Sequence, residues 1–338
     1  MQIKTIGIDL GKTVCDVVAM DGRGKVVARR RLTRTRLVPW LANLPSARIG
    51  LEASCGAHHL ARRLTELGHE VRLMPAQYVR PFVKTNKHDQ ADAEAIGEAV
   101  QRPQMRFVPI KSAAQLDLQA LHRARDRLVT QRTGLINQIR AFLLERGITL
   151  RPGRTALAKA LPEVLEATDE LSPLMRTLLN RLRTHWQALD DEIAVFDQQI
   201  LTIARTHPGA RLLMTIPGVG ALIATALVAA IDAGQAFARG RDLACWLGLV
   251  PRQHATGGKI RLLGISKRGN GYLRRLLVHA ARALKRQAKT RDDRLGTWLR
   301  GLETRAHPNV ATVALAAKLA RWSWAILARN QAYRPATV

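Results

Sequence analysis

With 338 residues, the chain has room for roughly two or three domains, and its 47% hydrophobic content excludes a disordered polymer. Lys and Arg number 54 against 26 Asp and Glu, a formal charge of +28 that repels itself unless a polyanion neutralises it. Nucleic acid is the expected polyanion, because its phosphates release counterions on meeting a basic surface. A membrane partner is not expected: the apolar run at 221–231 is too short to cross a bilayer, and no signal pattern opens the sequence. Cys15, Cys55 and Cys245 lack CxxC spacing, which predicts neither a zinc site nor a disulfide framework. The expected location is therefore a reducing cytoplasm, beside the nucleoid.

Residues 1–110 have α/β patterning. Strands are predicted at 4–10, 14–20 and 25–32, with Asp21-Gly22-Arg23-Gly24 as a hairpin turn. A short helix follows near 37–44, then a strand at 48–51, a helix at 58–67 ending before Gly68, and a strand at 70–74. Three hairpin-joined strands and then alternating helix and strand is the order of the ribonuclease-H-like fold, although periodicity alone allows other α/β folds. From 111 to 206 the period becomes helical. Leu116, Leu121, Leu128, Leu135, Ile139 and Leu143 follow a near-heptad course that predicts a long helical or coiled-coil arm, interrupted at Pro152-Gly153. Residues 207–338 read as a mainly α domain holding a Gly-rich basic loop at 251–270 and a final helix at 309–329.

Two predicted strands end on carboxylates: Asp9 in Ile6-Gly7-Ile8-Asp9-Leu10-Gly11, and Glu52 in Ile49-Gly50-Leu51-Glu52-Ala53. In the ribonuclease-H-like topology these strands are parallel neighbours, so the two side chains should stand together at one sheet edge. Like charges that close are unfavourable unless they share a cation. Asp89 and Asp92, three apart at the start of a predicted helix, share one face where the helix dipole favours anions. Four hard oxygen donors suit two Mg²⁺ ions about 3.5–4 Å apart, one activating an attacking oxygen and one stabilising the leaving oxygen of a phosphodiester. Asp9, Glu52, Asp89 and Asp92 are the expected catalytic and metal-binding set. The opening Gly7-Ile8-Asp9-Leu10-Gly11-Lys12-Thr13 is also similar to the phosphate loop of actin-like sugar kinases. Those proteins need a second Gly-rich loop in a duplicated domain, which this sequence lacks, and they have no use for +28.

Basic residues gather beyond residue 120. Eight arginines lie between 123 and 154, and Arg123, Arg125, Arg127, Arg132 and Arg140 are candidates for bidentate phosphate contact. Thr215-Ile216-Pro217-Gly218-Val219-Gly220 reads as the hairpin of a helix-hairpin-helix, in which Gly218 and Gly220 let backbone N–H groups approach a phosphate. Lys259, Arg261, Lys267, Arg268, Arg274 and Arg275 extend the candidate nucleic-acid surface. His58, His59, His122 and His279 lack ligand spacing and are expected to be structural or on the surface.

Taken together, these residues resemble the DEDD transposases of the insertion-sequence-110 family, its 1111 group in particular. The matching segments are Gly7 to Lys12, Leu51-Glu52-Ala53, Lys87-His88-Asp89-Gln90-Ala91-Asp92-Ala93, Ile216 to Gly220, Trp246 to His254 and Leu263 to Asn270. The resemblance implies a RuvC-like DEDD domain at 1–110, a helical arm at 111–206 and a C-terminal transposase domain with a catalytic serine at 207–338. It also implies an element-encoded noncoding RNA that guides the protein by pairing with double-stranded target and donor DNA. A homo-oligomer, dimer to tetramer, with active sites shared between subunits, is implied as well. The serine would attack a phosphodiester and hold the broken strand covalently.

The sequence departs from that family at one place. Where the group reads Gln-His-Ser followed by Thr or Ser and two glycines, this chain has Gln253-His254-Ala255-Thr256-Gly257-Gly258. Ala255 in the serine position has no nucleophile to offer and is the favoured reading; Thr256 is the alternative hydroxyl. A metal-dependent nuclease or junction resolvase without a covalent step, and a non-catalytic nucleic-acid scaffold, remain the competing functions.

Overall fold

The computed structural model describes residues 2–83, 88–167, 169–287 and 293–335, in two compact units, Met1–Ala114 and Gln115–Val338. In the first unit, β1 (Thr5–Leu10), β2 (Val14–Met20) and β3 (Val26–Thr33) form an antiparallel meander. Helix α1 (Arg34–Ala42) leads to β4 (Arg48–Glu52), and α2 (Ala57–Glu66) leads to β5 (Glu70–Met74). Both returns are parallel, and the sheet order is β3-β2-β1-β4-β5. This mixed sheet has the expected ribonuclease-H-like order. Next come α3 (Ala76–Val79), a 3₁₀ turn at Arg80–Phe82 and α4 (Asp89–Ala99). Lys87 of the family-like segment lies outside the described residues.

Side-chain alternation gives the sheet two unlike faces. Ile6, Ile8, Val17, Ile49 and Leu51 point to one face and bury against Leu37 and Leu41 of α1 and Leu60 and Leu64 of α2. The other face carries α4, seated unusually close. A Cβ added at Gly7 would lie 2.1 Å from the Ala93 carbonyl oxygen and 2.4 Å from the Gly97 nitrogen. Only a residue without a side chain permits that approach. An ion pair of 2.7 Å between Arg29 of β3 and Glu94 fixes the helix sideways.

The second unit contains α5 (Ala113–Leu144), α6 (Arg154–Ala167), α7 (Pro173–Thr206), α8 (Pro208–Leu213), α9 (Ala221–Ile231) and α10 (Gly240–Trp246). A hairpin of β6 (Pro251–Thr256) and β7 (Lys259–Ile265) follows, then α11 (Gly271–Gln287), α12 (Arg294–Glu303) and α13 (Pro308–Arg329). The arm is not built around one continuous seam. Leu135, Ile139 and Leu143 bury with Leu157 and Leu161 of α6 and Leu179 and Trp186 of α7, whereas Leu118 and Leu121 join the core of the C-terminal helices. Between these cores, Arg125–Asp197 and Arg132–Asp190 ion pairs tie α5 to α7.

Two expectations are corrected here. Most of the predicted loop at 251–270 is a β-hairpin, because Gly257 and Gly258, at φ of 55° and 77°, supply the two positive-φ residues of a tight turn. Among the described residues, α13 is long and apolar enough to cross a membrane by length and composition, although half of that window is buried within the unit.

His122 anchors the root of the arm. It is 3% exposed, with Nδ1 3.0 Å from the Tyr272 hydroxyl of α11 and Nε2 3.0 Å from Thr225 Oγ1 of α9. The Thr225 hydroxyl already donates to the Ala221 carbonyl, so Nε2–H donates to Thr225 and Nδ1 accepts from Tyr272. Burial, helped by the Arg125 charge, pulls the imidazole down from 6.5 to about 4. The folded value lies below the unfolded one, so protonation favours the unfolded chain. Stability present above pH 6.5 is lost between 6.5 and about 4, amounting to ~3 kcal/mol. His122→Ala should cost ~2–3 kcal/mol near neutrality. It should also flatten that dependence, as read from urea midpoints at pH 7.5 and 4.5.

Candidate active site

The α4 face of the sheet collects the carboxylates. Gly7 faces α4, so Asp9, two residues on, shares that face at the end of β1. Gly50 lies against Ile96 and Val100, which places Glu52 on the same face at the end of β4. The parallel register pairs Ile8 with Leu51, so Asp9 and Glu52 occupy the next positions on adjacent strands. Close seating of α4 at Gly7 brings its first turn, with Asp89 and Asp92, over the same strand end. The turn forms there because the His88 ring caps it, accepting from the Gln90 N–H at 3.2 Å.

Electrostatics report the crowding. Asp9 is held above its ordinary 3.8, first by burial, then by the charges of Asp92, Asp89 and Asp16, against one stabilising backbone N–H from Leu10. Asp16 is the member that sequence reasoning missed. It pairs across the β1–β2 ladder with Asp9, is only 4% exposed, and its Oδ1 has no hydrogen-bond partner. The signal was present: a carboxylate in the middle of the apolar strand Val14-Cys15-Asp16-Val17-Val18, in register with Asp9 across a short hairpin. The Arg31 guanidinium stands between Asp89, 3.6 Å away, and Asp16, 4.0 Å away.

Among the described residues, no three carboxylate, histidine or cysteine side chains converge into a formed metal cage. The donor set still fits a hard divalent cation. It is made of carboxylates on one face, it raises the proton affinity of Asp9, and it includes a buried oxygen with nothing to bind.

The second predicted centre lies in the second unit, on the β6–β7 hairpin. Glycines hold the base of this hairpin: Gly269, at φ 72°, packs so tightly that a Cβ would sit 1.8 Å from the Trp246 carbonyl oxygen. Arg274 adds hydrogen bonds of 2.9 Å to the carbonyls of Leu247 and Arg268. Above that base both strands are solvent-exposed, with Ile260 67% and Leu262 66% accessible. Register pairs Ala255 with Ile260 and Gln253 with Leu262, so Ala255 lies on the apolar face. Thr256 lies on the opposite face with His254, Lys259 and Arg261, and its Oγ1 is 3.3 Å from His254 Nδ1.

The other predicted nucleic-acid residues divide by what they touch. Arg125 and Arg132 are ion-paired within the arm, and Arg140 bonds the carbonyls of Leu150, Arg151 and Gly153. Arg275 pairs with Asp126 and covers the Tyr272 ring. Arg123, Arg127, Lys259, Arg261, Lys267 and Arg268 are exposed. Gly218, at φ 81°, turns the chain before α9, and Gly220 precedes the first residue of that helix with open space beside it. His58 is structural, accepting the Lys111 N–H at 3.2 Å.

This sheet and its acidic edge are those of a ribonuclease-H-like DEDD domain, joined in one chain to a basic helical unit. Residues 6–147 match a DEDD family of the IS110 type described as "Transposase", and residues 210–295 match the "Transposase IS116/IS110/IS902 family". Similar relatives include a "Probable family 20 transposase" of Pseudomonas aeruginosa, 46% identical over 99% of this chain and 100% of its own length. The transposase for insertion sequence element IS1328 of Yersinia enterocolitica is 41% identical, covering 98% and 99%. The transposase for insertion sequence element IS1111A of Coxiella burnetii is 42% identical, covering 98% and 92%. The chain belongs to the IS110 family of insertion-sequence transposases.

Proposed function

We propose that this transposase is an Mg²⁺-dependent DNA strand-exchange enzyme guided by an element-encoded RNA. Its two chemical centres are the carboxylate cleft and the Thr256 hydroxyl. The observation that supports the first centre best is the burial of Asp9 among the charges of Asp92, Asp89 and Asp16, a repulsion that a bound cation would offset. Asp9, Glu52, Asp89 and Asp92 would hold the metal, which supplies Lewis-acid stabilisation of the oxygens at a reacting phosphodiester. The RNA, the pairing with target and donor DNA, and assembly as a dimer to tetramer rest on family resemblance and on the +28 charge. Arg123, Arg127, Lys259, Arg261, Lys267 and Arg268 would bind phosphates. Arg125, Arg132, Arg140, Arg274 and Arg275 would shape the surface that presents them.

Thr256 is a better nucleophile position than Ala255 in this chain. Ala255 offers a methyl group to the apolar face of the hairpin, and Thr256 offers a hydroxyl beside an imidazole on the basic face. When Nδ1 of His254 carries no proton it can accept that of the hydroxyl as Oγ1 bonds to phosphorus, while the P–O bond to the leaving strand breaks and its oxygen takes a proton from water. Lys259 and Arg261 would neutralise the phosphate.

The test combines purified protein with cognate RNA, both DNAs and Mg²⁺, and follows the covalent protein–DNA adduct on denaturing gels. Thr256→Ala should abolish the adduct and Ala255→Ser should leave it unchanged. An adduct that forms only with Ala255→Ser would make position 255 the lost nucleophile. Cleavage without adduct, abolished by Asp9→Asn, would make the protein a hydrolytic nuclease.

A further inference from the structure

Asp16 is neither catalytic by family resemblance nor explained by packing. Its side chain is 5% exposed, yet Oδ1 has no partner and the closest cation, Arg31, reaches Oδ2 only at 4.0 Å. A buried carboxylate so poorly compensated is costly. An apolar residue would serve the sheet better, since Val18 and Met20, further along the same face of β2, bury against Ala93 of α4. The cross-strand pairing with Asp9 directs Asp16 toward the acidic edge and not into the apolar layer beneath α1 and α2. We propose that Asp16 is a fifth carboxylate of the cleft, an oxygen donor to the divalent cation held at Asp9, with Arg31 as the displaceable cation that stands in when no metal is bound. The inference rests on the metal-binding reading of this cleft.

Arg31 fits the second role. It is 63% exposed, so it can swing away, and it is shared between Asp16 and Asp89, the two groups a cation would draw together. A guanidinium satisfies two carboxylates only loosely at these distances, whereas a divalent ion at oxygen-ligand range would compensate both.

The experiment titrates the full-length chain with Mn²⁺ alone, reading free Mn²⁺ by electron paramagnetic resonance, with no nucleic acid present. Asp16→Asn should weaken Mn²⁺ binding about 10- to 100-fold while circular dichroism shows the fold intact. Asp9→Asn should weaken it at least as much. Loss with Asp9→Asn but an unchanged isotherm with Asp16→Asn overturns the role of Asp16 and leaves the metal reading standing. Wild-type and Asp9→Asn isotherms that coincide overturn both. Should Asp16→Asn not fold, Arg31→Gln is compared in the Asp89→Asn background, where, among the described residues, Asp16 is the carboxylate still paired with Arg31. Tighter Mn²⁺ binding there supports the proposal, and no change refutes it.

Discussion

Gly7→Ala is expected to unseat α4 and so remove stability, metal binding and strand exchange together. The added Cβ would meet backbone on the helix side, the Ala93 carbonyl oxygen at 2.1 Å and the Gly97 nitrogen at 2.4 Å, and backbone cannot rotate away as a side chain would. Relief requires the helix to retreat, which opens the contact of Ala93 with Val18 and Met20 and lifts Asp89 and Asp92 from Asp9. Overpacking of this kind costs about 3 kcal/mol or more. Gly134→Ala is the control of opposite sign. It lies inside α5 with nothing within 4 Å of the new Cβ, so it should stabilise by about 0.5–1 kcal/mol. Urea midpoints of both variants decide the matter, and a Gly7→Ala midpoint equal to wild type would show that α4 does not sit as described.

Asp9→Asn should move activity and stability in opposite directions. Loss of the central carboxylate should reduce strand cleavage at least about a thousandfold, equivalent to ~4 kcal/mol of transition-state stabilisation. In EDTA the same variant should be more stable than wild type near pH 7. The folded value of Asp9 is raised above 3.8, so its favourable contribution is complete below 3.8 and is lost as pH rises through the folded value. Asparagine carries no such charge. Added Mg²⁺ should reverse the order by stabilising wild type alone, since an ion that binds only the folded chain shifts its unfolding. Thermal melts with and without EDTA, at pH 4 and pH 7, test each sign.

The first unit was largely legible from sequence because its elements are short and sharply punctuated. The strands at 14–20 and 70–74 coincide with β2 and β5, and the carboxylates at the ends of β1 and β4 lie on adjacent parallel strands. The second unit was less legible. Periodicity shows that Leu116 to Leu143 are helical but not that two separate cores divide Leu121 from Leu135, Ile139 and Leu143. Helix α6 has no counterpart among the predicted elements, and the Gly257-Gly258 pair reads as part of a loop although it is the turn of a hairpin.

By itself, the sequence determined which residue types were available: four acidic residues at spacings that suit a shared cation, a large excess of positive charge, and an alanine followed by a threonine at the family's serine position. Local chemistry carries that much, since turns, helix starts and strand alternation depend on near neighbours. The tertiary structure decided what those residues face. It added Asp16 by cross-strand register, gave Arg125, Arg132 and Arg140 partners inside the arm, and separated Ala255 from Thr256 onto opposite faces of one hairpin. Pairing register and helix seating depend on contacts between residues far apart in the chain, which is why composition and spacing alone did not contain them.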